Sequence, residues 1–202
     1  MKLPFMKDTP FKVPYTTANI VGMLVNRLSG FLEGLPSNRP IVIVCIGTDR
    51  STGDALGPLI GTSLLKYRSP NFHLFGTLED PVHAMNLEDT LIEINRKFDK
   101  PFIIGIDACL GQVASVGCIQ IGEGPVRPGA GVNKDLPPVG DIHVTGIVNV
   151  GGFMEYFVLQ NTRLYLVMRM SDIIATSLFT AIANHLHISS SVRDQTAAAD
   201  LT

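Results

Sequence analysis

From residue 16 to residue 35 the apolar side chains Ile20, Met23, Leu24, Leu28, Phe31 and Leu32 recur at steps of three and four. That spacing predicts an amphipathic helix, and Gly34 and Pro36 end it. The run IVIVCIG that follows is apolar at nearly every position and predicts a strand covered on both faces. Leu56, Leu59, Ile60, Leu64 and Tyr67 return to helical spacing. Pro58 fits in the first turn of that helix, where no backbone donor is missed. FHLFG predicts a short strand, MNLEDTLIEINRKF an amphipathic helix, and FIIGID a second buried strand that stops at Asp107. VGCIQIG and IHVTGIVNV bring the strands to five. A final helix is predicted over about 163–186, where Leu164, Val167, Met168, Ile174, Ala175, Leu178 and Ile182 keep a 3.6-residue rhythm.

Strand and helix alternate along the whole pattern, so the expected fold is α/β: a mixed, mainly parallel five-stranded sheet covered on both faces, a three-layer α/β/α sandwich. Residues 1–16, interrupted by prolines and charges, predict an irregular arm, and residues 189–202 a disordered tail. With 202 residues the chain is expected to form a single domain, 1–202. Apolar residues make up 46% of the chain and charged residues 17%, with a formal net charge of -2. That balance speaks against a basic nucleic-acid groove and against electrostatic attraction to an anionic membrane. The N-terminus carries no continuous apolar signal core, and no apolar run approaches the roughly 20 residues of a membrane span. A cytoplasmic protein is therefore expected. The three cysteines, Cys45, Cys109 and Cys118, show no CxxC spacing; Cys45 and Cys118 read as core residues.

Candidate chemistry begins in CIGTDRSTGDALGP, residues 45–58, a glycine-rich acidic loop behind the first buried strand. Function in open α/β sheets collects beyond the carboxyl ends of the strands. Asp54 lies one loop past the first strand and Asp107 closes FIIGID, so neighbouring strands would face the two carboxylates into one crevice. Each also has a structural reading, as a helix cap or a partner of turn amides. Two carboxylates sharing a water can divide the work of acid and base, because like charges push their pKa values apart. Such hydrolysis of a peptide bond needs no cofactor. The loop lacks the GK[ST] ending of a phosphate cradle and does not fit GxGxxG. RPGAGVNKDLPPVGD is long enough to act as a lid, and its Lys134 is a candidate for steadying an oxyanion or a substrate carboxylate. Phe153, Tyr156, Phe157 and Tyr165 read as core or as a homodimer interface rather than a substrate groove.

GTDRSTGDALGPLIG, IGIDACLG and RPGAGVNKDLPPVGDIHVTGIVNVGG resemble, in the same order, segments of the spore germination protease. The resemblance is closer to the spore protease YyaC family of spore-forming bacteria. It covers nearly all of residues 38–170, including FGTLEDPVHAMNLEDT and FMEYFVLQNTRL. It implies a phosphorylase/hydrolase-like fold, shared with hydrogenase maturation proteases, in which the five strands take the order 2-1-3-5-4 with the fourth antiparallel. It implies Asp54 and Asp107 as the catalytic pair of an atypical aspartic peptidase. The implied setting is the cytoplasm of the forespore or sporulating cell, and small acid-soluble spore proteins are the implied substrates. Asp49 matches no catalytic position and is expected to accept loop amides or to shape the crevice wall. Lys134 and His143 join it as substrate-binding candidates. The hydrogenase maturation proteases also suggest His143, or equally His83, as a metal ligand, although a lone strand histidine is more often structural. The chain is much shorter than the germination protease and shows no recognisable propeptide. Two alternatives stay open: a non-catalytic sporulation binding or assembly protein, and a metal-dependent hydrolase.

Overall fold

The computed structural model describes residues 11–67, 72–129 and 136–199, with side chains up to residue 186. In chain order the elements are β1 (Phe11–Pro14), α1 (Ile20–Leu32), β2 (Ile41–Cys45), α2 (Leu56–Leu65), β3 (His73–Phe75), α3 (Leu87–Lys97), β4 (Phe102–Gly111), β5 (Cys118–Glu123), β6 (Ile142–Val150), α4 (Glu155–Gln160) and α5 (Leu164–Ala199). A single 3-10 turn, Val113–Ser115, separates β4 from β5. The fold is mixed α/β, built on a six-stranded sheet in the order β1-β5-β6-β4-β2-β3. β3, β2, β4 and β6 run parallel, and β5 is antiparallel to β6.

The expected sheet had five strands. The sixth, β1, comes from the stretch predicted as an irregular arm. Phe11–Pro14 pairs antiparallel with β5 and drops Val13 into the core. Pro14 is tolerated because β1 is an edge strand, where one row of backbone donors has no strand partner. The rest of the predicted arm, residues 1–10, lies outside the described residues. At the other end, α5 continues to Ala199, through most of the predicted tail and past the predicted stop at 186.

Alternation along β2 sorts the core. Ile41, Ile43 and Cys45 face one cluster, which includes Leu24 and Leu28 of α1, Leu56, Ile60 and Leu64 of α2, and Met170, Ile174 and Leu178 of α5. Val42, Val44 and Ile46 face a smaller cluster with Leu87 and Ile94 of α3. A strand whose two faces are both covered must be apolar at every position, which is how IVIVC reads. The Leu164–Leu186 part of α5 is long and apolar enough to cross a bilayer, but more than half of its most apolar stretch is buried, as in a core helix.

Two glycines let α2 sit close above the strand ends. A Cβ on Gly57 would run into the Ile46 carbonyl oxygen, and one on Gly61 into that of Gly76. Gly76 has φ 90° and itself lies against the Cys45 carbonyl. This contact fixes how deep α2 rides, and with it the loop that precedes α2. In an ordinary helix Gly→Ala stabilises by about 1 kcal/mol. Here the sign reverses: Gly61→Ala should destabilise by about 1–3 kcal/mol, the usual cost of overpacking. Chemical denaturation of the two proteins measures the difference.

Candidate functional site

The loop from Gly47 to Ala55 is held in place by backbone bonds. Gly47 N–H donates to Val82 O at 2.8 Å, Thr48 N–H to Asp54 O at 3.2 Å and Ala55 N–H to Ser51 O at 3.0 Å. Gly47, at φ 145°, lies so close to the Asp54 carbonyl that no Cβ fits there. From the far side, Gly53 N–H donates to Leu159 O at 2.9 Å. That segment is tied to the end of β6, where the Asn149 amide donates to Val158 O at 3.1 Å and to Thr162 Oγ1 at 3.2 Å. The three anchors bring β2, the loop and α4 around one pocket.

The pocket holds about 280 Å³, and its walls include Asp54 and Asp107 together with Arg50, Ser51, His83, Cys109 and Tyr156. Ile46, Met85, Leu110, Leu136 and Leu159 supply apolar surface. Asp107 does not close its strand as predicted: β4 continues four residues further, to Gly111. What ends there is the neighbour. β2 pairs with β4 as far as Cys45↔Ile106, while β6 stays paired with β4 through Gly111↔Val150. Asp107 is therefore the first β4 residue without a β2 partner in the ladder, and the crevice opens where β2 leaves the sheet.

Burial pushes the Asp107 carboxyl well above the ordinary carboxylate range, and the nearby Asp54 charge adds to the rise; a 2.8 Å hydrogen bond from Ala108 N–H to Oδ1 only partly offsets it. Asp54, half-buried, is also raised by desolvation, and the adjacent Ser51 hydroxyl tempers the shift. The two carboxyls thus share one pocket and interact electrically, with Asp107 holding its proton more firmly. Cys109 precedes an irregularity in the β4–β6 ladder, and its thiol is pushed up to about 11, mainly by burial. It is a thiol at neutral pH and a poor nucleophile.

His83 reaches the pocket from the segment after β3. Its backbone N–H donates to Asn86 Oδ1 at 2.8 Å, and its Nδ1 accepts from Met85 N–H at 3.3 Å. A ring nitrogen that accepts carries no proton, so neutral His83 holds its proton on Nε2 and can donate from there.

The other substrate-binding candidates lie elsewhere. Asp49 is exposed and outside the pocket walls, although its neighbours Thr48 and Arg50 belong to them. His143 sits near the start of β6, two register positions short of Thr145, which pairs with Asp107. Its Nδ1 lies 3.0 Å from Gly124 O, the structural reading of a strand histidine. Lys134 lies outside the described residues. The described ends of the predicted lid, at Pro128, Gly129 and Leu136, do border the pocket. Among the described residues no three His, Cys, Asp or Glu side chains gather as a metal set. Tyr156, expected in the core or at an interface, is 60% exposed and lines the pocket. Arg50 and Ser51 belong to the acidic loop but carry no local signal that marks them as pocket residues, whereas placing Cys109 and Leu159 needs the tertiary fold.

A carboxyl whose pKa is raised on folding contributes stability below the ordinary carboxylate range, and that contribution is lost as pH rises through the elevated value. Asp107→Asn is neutral at every pH. It should therefore be more stable than wild type at neutral and alkaline pH, by about 0.5–2 kcal/mol, the usual range for a single stabilising change. The gap should close on acidification. Thermal unfolding of both proteins across pH tests this; a variant less stable than wild type at pH 8 contradicts it.

Residues 12–177 match the family described as "Protein of unknown function (DUF1256)". The chain is also 61% identical, over 166 residues, to the "Uncharacterized protein YyaC" of Bacillus subtilis (strain 168), an alignment spanning 82% of this chain and 80% of that protein. The matched region runs from within β1 through β6 and contains the acidic loop and both pocket aspartates, and on that extent the chain belongs to the DUF1256 family.

Proposed function

We propose that the protein is a peptidase of the germination-protease-like type acting in sporulation, with Asp54 and Asp107 activating a water between them. One observation carries this reading: two partly buried carboxyls, Asp54 and Asp107, line one pocket where β2 leaves the sheet, and the direction of their pKa shifts fits a pair that interacts. Such a pair separates into a proton donor and a base. In the proposed cycle Asp54, ionised, takes a proton from the attacking water while Asp107 protonates the carbonyl oxygen of the scissile bond. Asp54 then passes its proton to the departing amine nitrogen. Asp107 regains its own as the carbonyl reforms, so the net change is addition of one water across the bond. His83 Nε2–H is the proposed donor that orients the carbonyl.

The fold assignment proposed with it is a three-layer α/β/α sandwich of the phosphorylase/hydrolase-like type. The run β3-β2-β4-β6-β5 within the sheet, with β5 antiparallel, supports it. The pocket volume lies near the lower end of small-ligand sites and suits a short extended peptide segment better than a folded surface. Small acid-soluble spore proteins in the forespore or sporulating-cell cytoplasm are the proposed substrates. A non-catalytic assembly role is the second reading, and the exposed aromatic surface at residues 153–165 favours it.

The test is incubation with purified small acid-soluble spore proteins, followed by mass spectrometry. Wild type should cleave. Asp54→Asn and Asp107→Asn should each lose about 10²–10⁴-fold in kcat, the usual contribution of a positioned acid or base. The alkaline limb of the wild-type pH profile should fall above the ordinary carboxylate range, where Asp107 loses its proton. Equal cutting by all three proteins, or none by any, removes the aspartate mechanism on these substrates and leaves the assembly reading.

A further inference from the structure

Beside the pocket the surface changes character. Phe153 is 88% exposed, Tyr165 63%, Tyr156 60%, Phe157 57%, Met154 and Leu164 58% each, and Met168 41%. All lie on α4, on the first turns of α5, or on the residues just before α4. On α5, Leu164, Tyr165 and Met168 are spaced to share one face, while Val167 and Met170 turn into the core. Four aromatic side chains at these exposures present roughly 550 Å², taking about 200 Å² for a whole ring residue. With Met154, Leu164 and Met168 the exposed surface of these seven neighbouring residues sums to roughly 800 Å². The largest apolar patch on a typical monomer is about 300–600 Å². A standard protein interface buries about 800 Å² per partner.

Composition and charge narrow the occupant. Aromatic residues, Met and Arg are enriched in the cores of protein interfaces, and Lys is depleted. Residues 151–172 contain Arg163 and Arg169 but no Lys. A membrane-lying face is typically rich in Lys and Arg on its polar side. Glu155 and Asp172 balance the two arginines, so the face can meet a copy of itself without net repulsion. The backbone also holds this shape under strain. Met154 sits at φ 55°, ψ 45°, directly before α4, a left-handed conformation that costs a non-glycine residue about 1 kcal/mol or more.

We propose that this face is an isologous interface and that the protein is a homodimer joined through α4 and the start of α5. A two-fold contact sets the same patch against itself, each arginine meeting acidic side chains of the other copy. Tyr156 belongs to both the face and the pocket wall, so the second copy borders the pocket mouth. The proposal is independent of the hydrolase reading.

Sedimentation velocity on the full chain at micromolar concentration tests it. Wild type should sediment as a dimer. Phe153→Asp and Tyr165→Asp should each weaken dimerisation at least about 30-fold, the loss expected of an interface hot spot. Both sites are exposed, so far-UV circular dichroism should be unchanged. Ile92→Asp, at a 61% exposed position on α3, should leave the dimer intact. A monomeric wild type overturns the proposal, whether or not it binds lipid vesicles or another protein. So does a dimer that both patch variants retain.

Discussion

A carboxylate taken out of water loses its hydration, and a second one beside it makes the loss worse. The protein places Asp54 and Asp107 in that situation. What allows it is a difference in strand length: β2 leaves the ladder at Cys45, while β4 runs on to Gly111 against β6. From Asp107 onward β4 has a strand neighbour on one side only, and the space left on the other side is the pocket. Had β2 continued for two more residues, its backbone would occupy that space.

The acidic loop then has to enter this gap from above without filling it, and close packing meets that requirement. Gly57 and Gly61 lower α2 onto the carbonyls of Ile46 and Gly76, and Gly47 lets the chain turn beneath the Asp54 carbonyl. The loop is further tied to Val82 on one side and Leu159 on the other. Asp54 is thus carried by backbone contacts on several sides, and the destabilisation its burial brings is offset elsewhere in a well-packed core. Storing unfavourable electrostatics at a site supported by its surroundings is common where chemistry is done.

Much of this is legible in the sequence alone. The short unbroken apolar runs IVIVC and FIIGID, rich in β-branched residues and bounded by loop residues, read as strands covered on both faces, and the glycine-rich acidic stretch between strand and helix pointed to Asp54. Other features are not. Lys12 and Pro14 hid the short edge strand β1, because two apolar positions in four residues carry too little periodicity to register. The continuation of β4 past Asp107 depends on β6, a partner about forty residues away, and no local pattern announces it. His83 and His143 looked equivalent as isolated histidines; only the fold separates the one beside the pocket from the one that contacts the Gly124 carbonyl. The aromatic residues from 153 to 165 read equally as core or as interface from composition, and only the fold shows them exposed, with Leu159 the side of α4 that turns inward.

The account rests on electrical contact between the two carboxyls, and the most direct measurement is a carbon-13 NMR titration of the Asp107 side chain in wild type and in Asp54→Asn. The wild-type carboxyl should titrate well above the ordinary carboxylate range. Removing the Asp54 charge should lower the midpoint while burial still keeps it elevated. An identical midpoint in the two proteins, or an ordinary value in wild type, would contradict the shared acidic pocket.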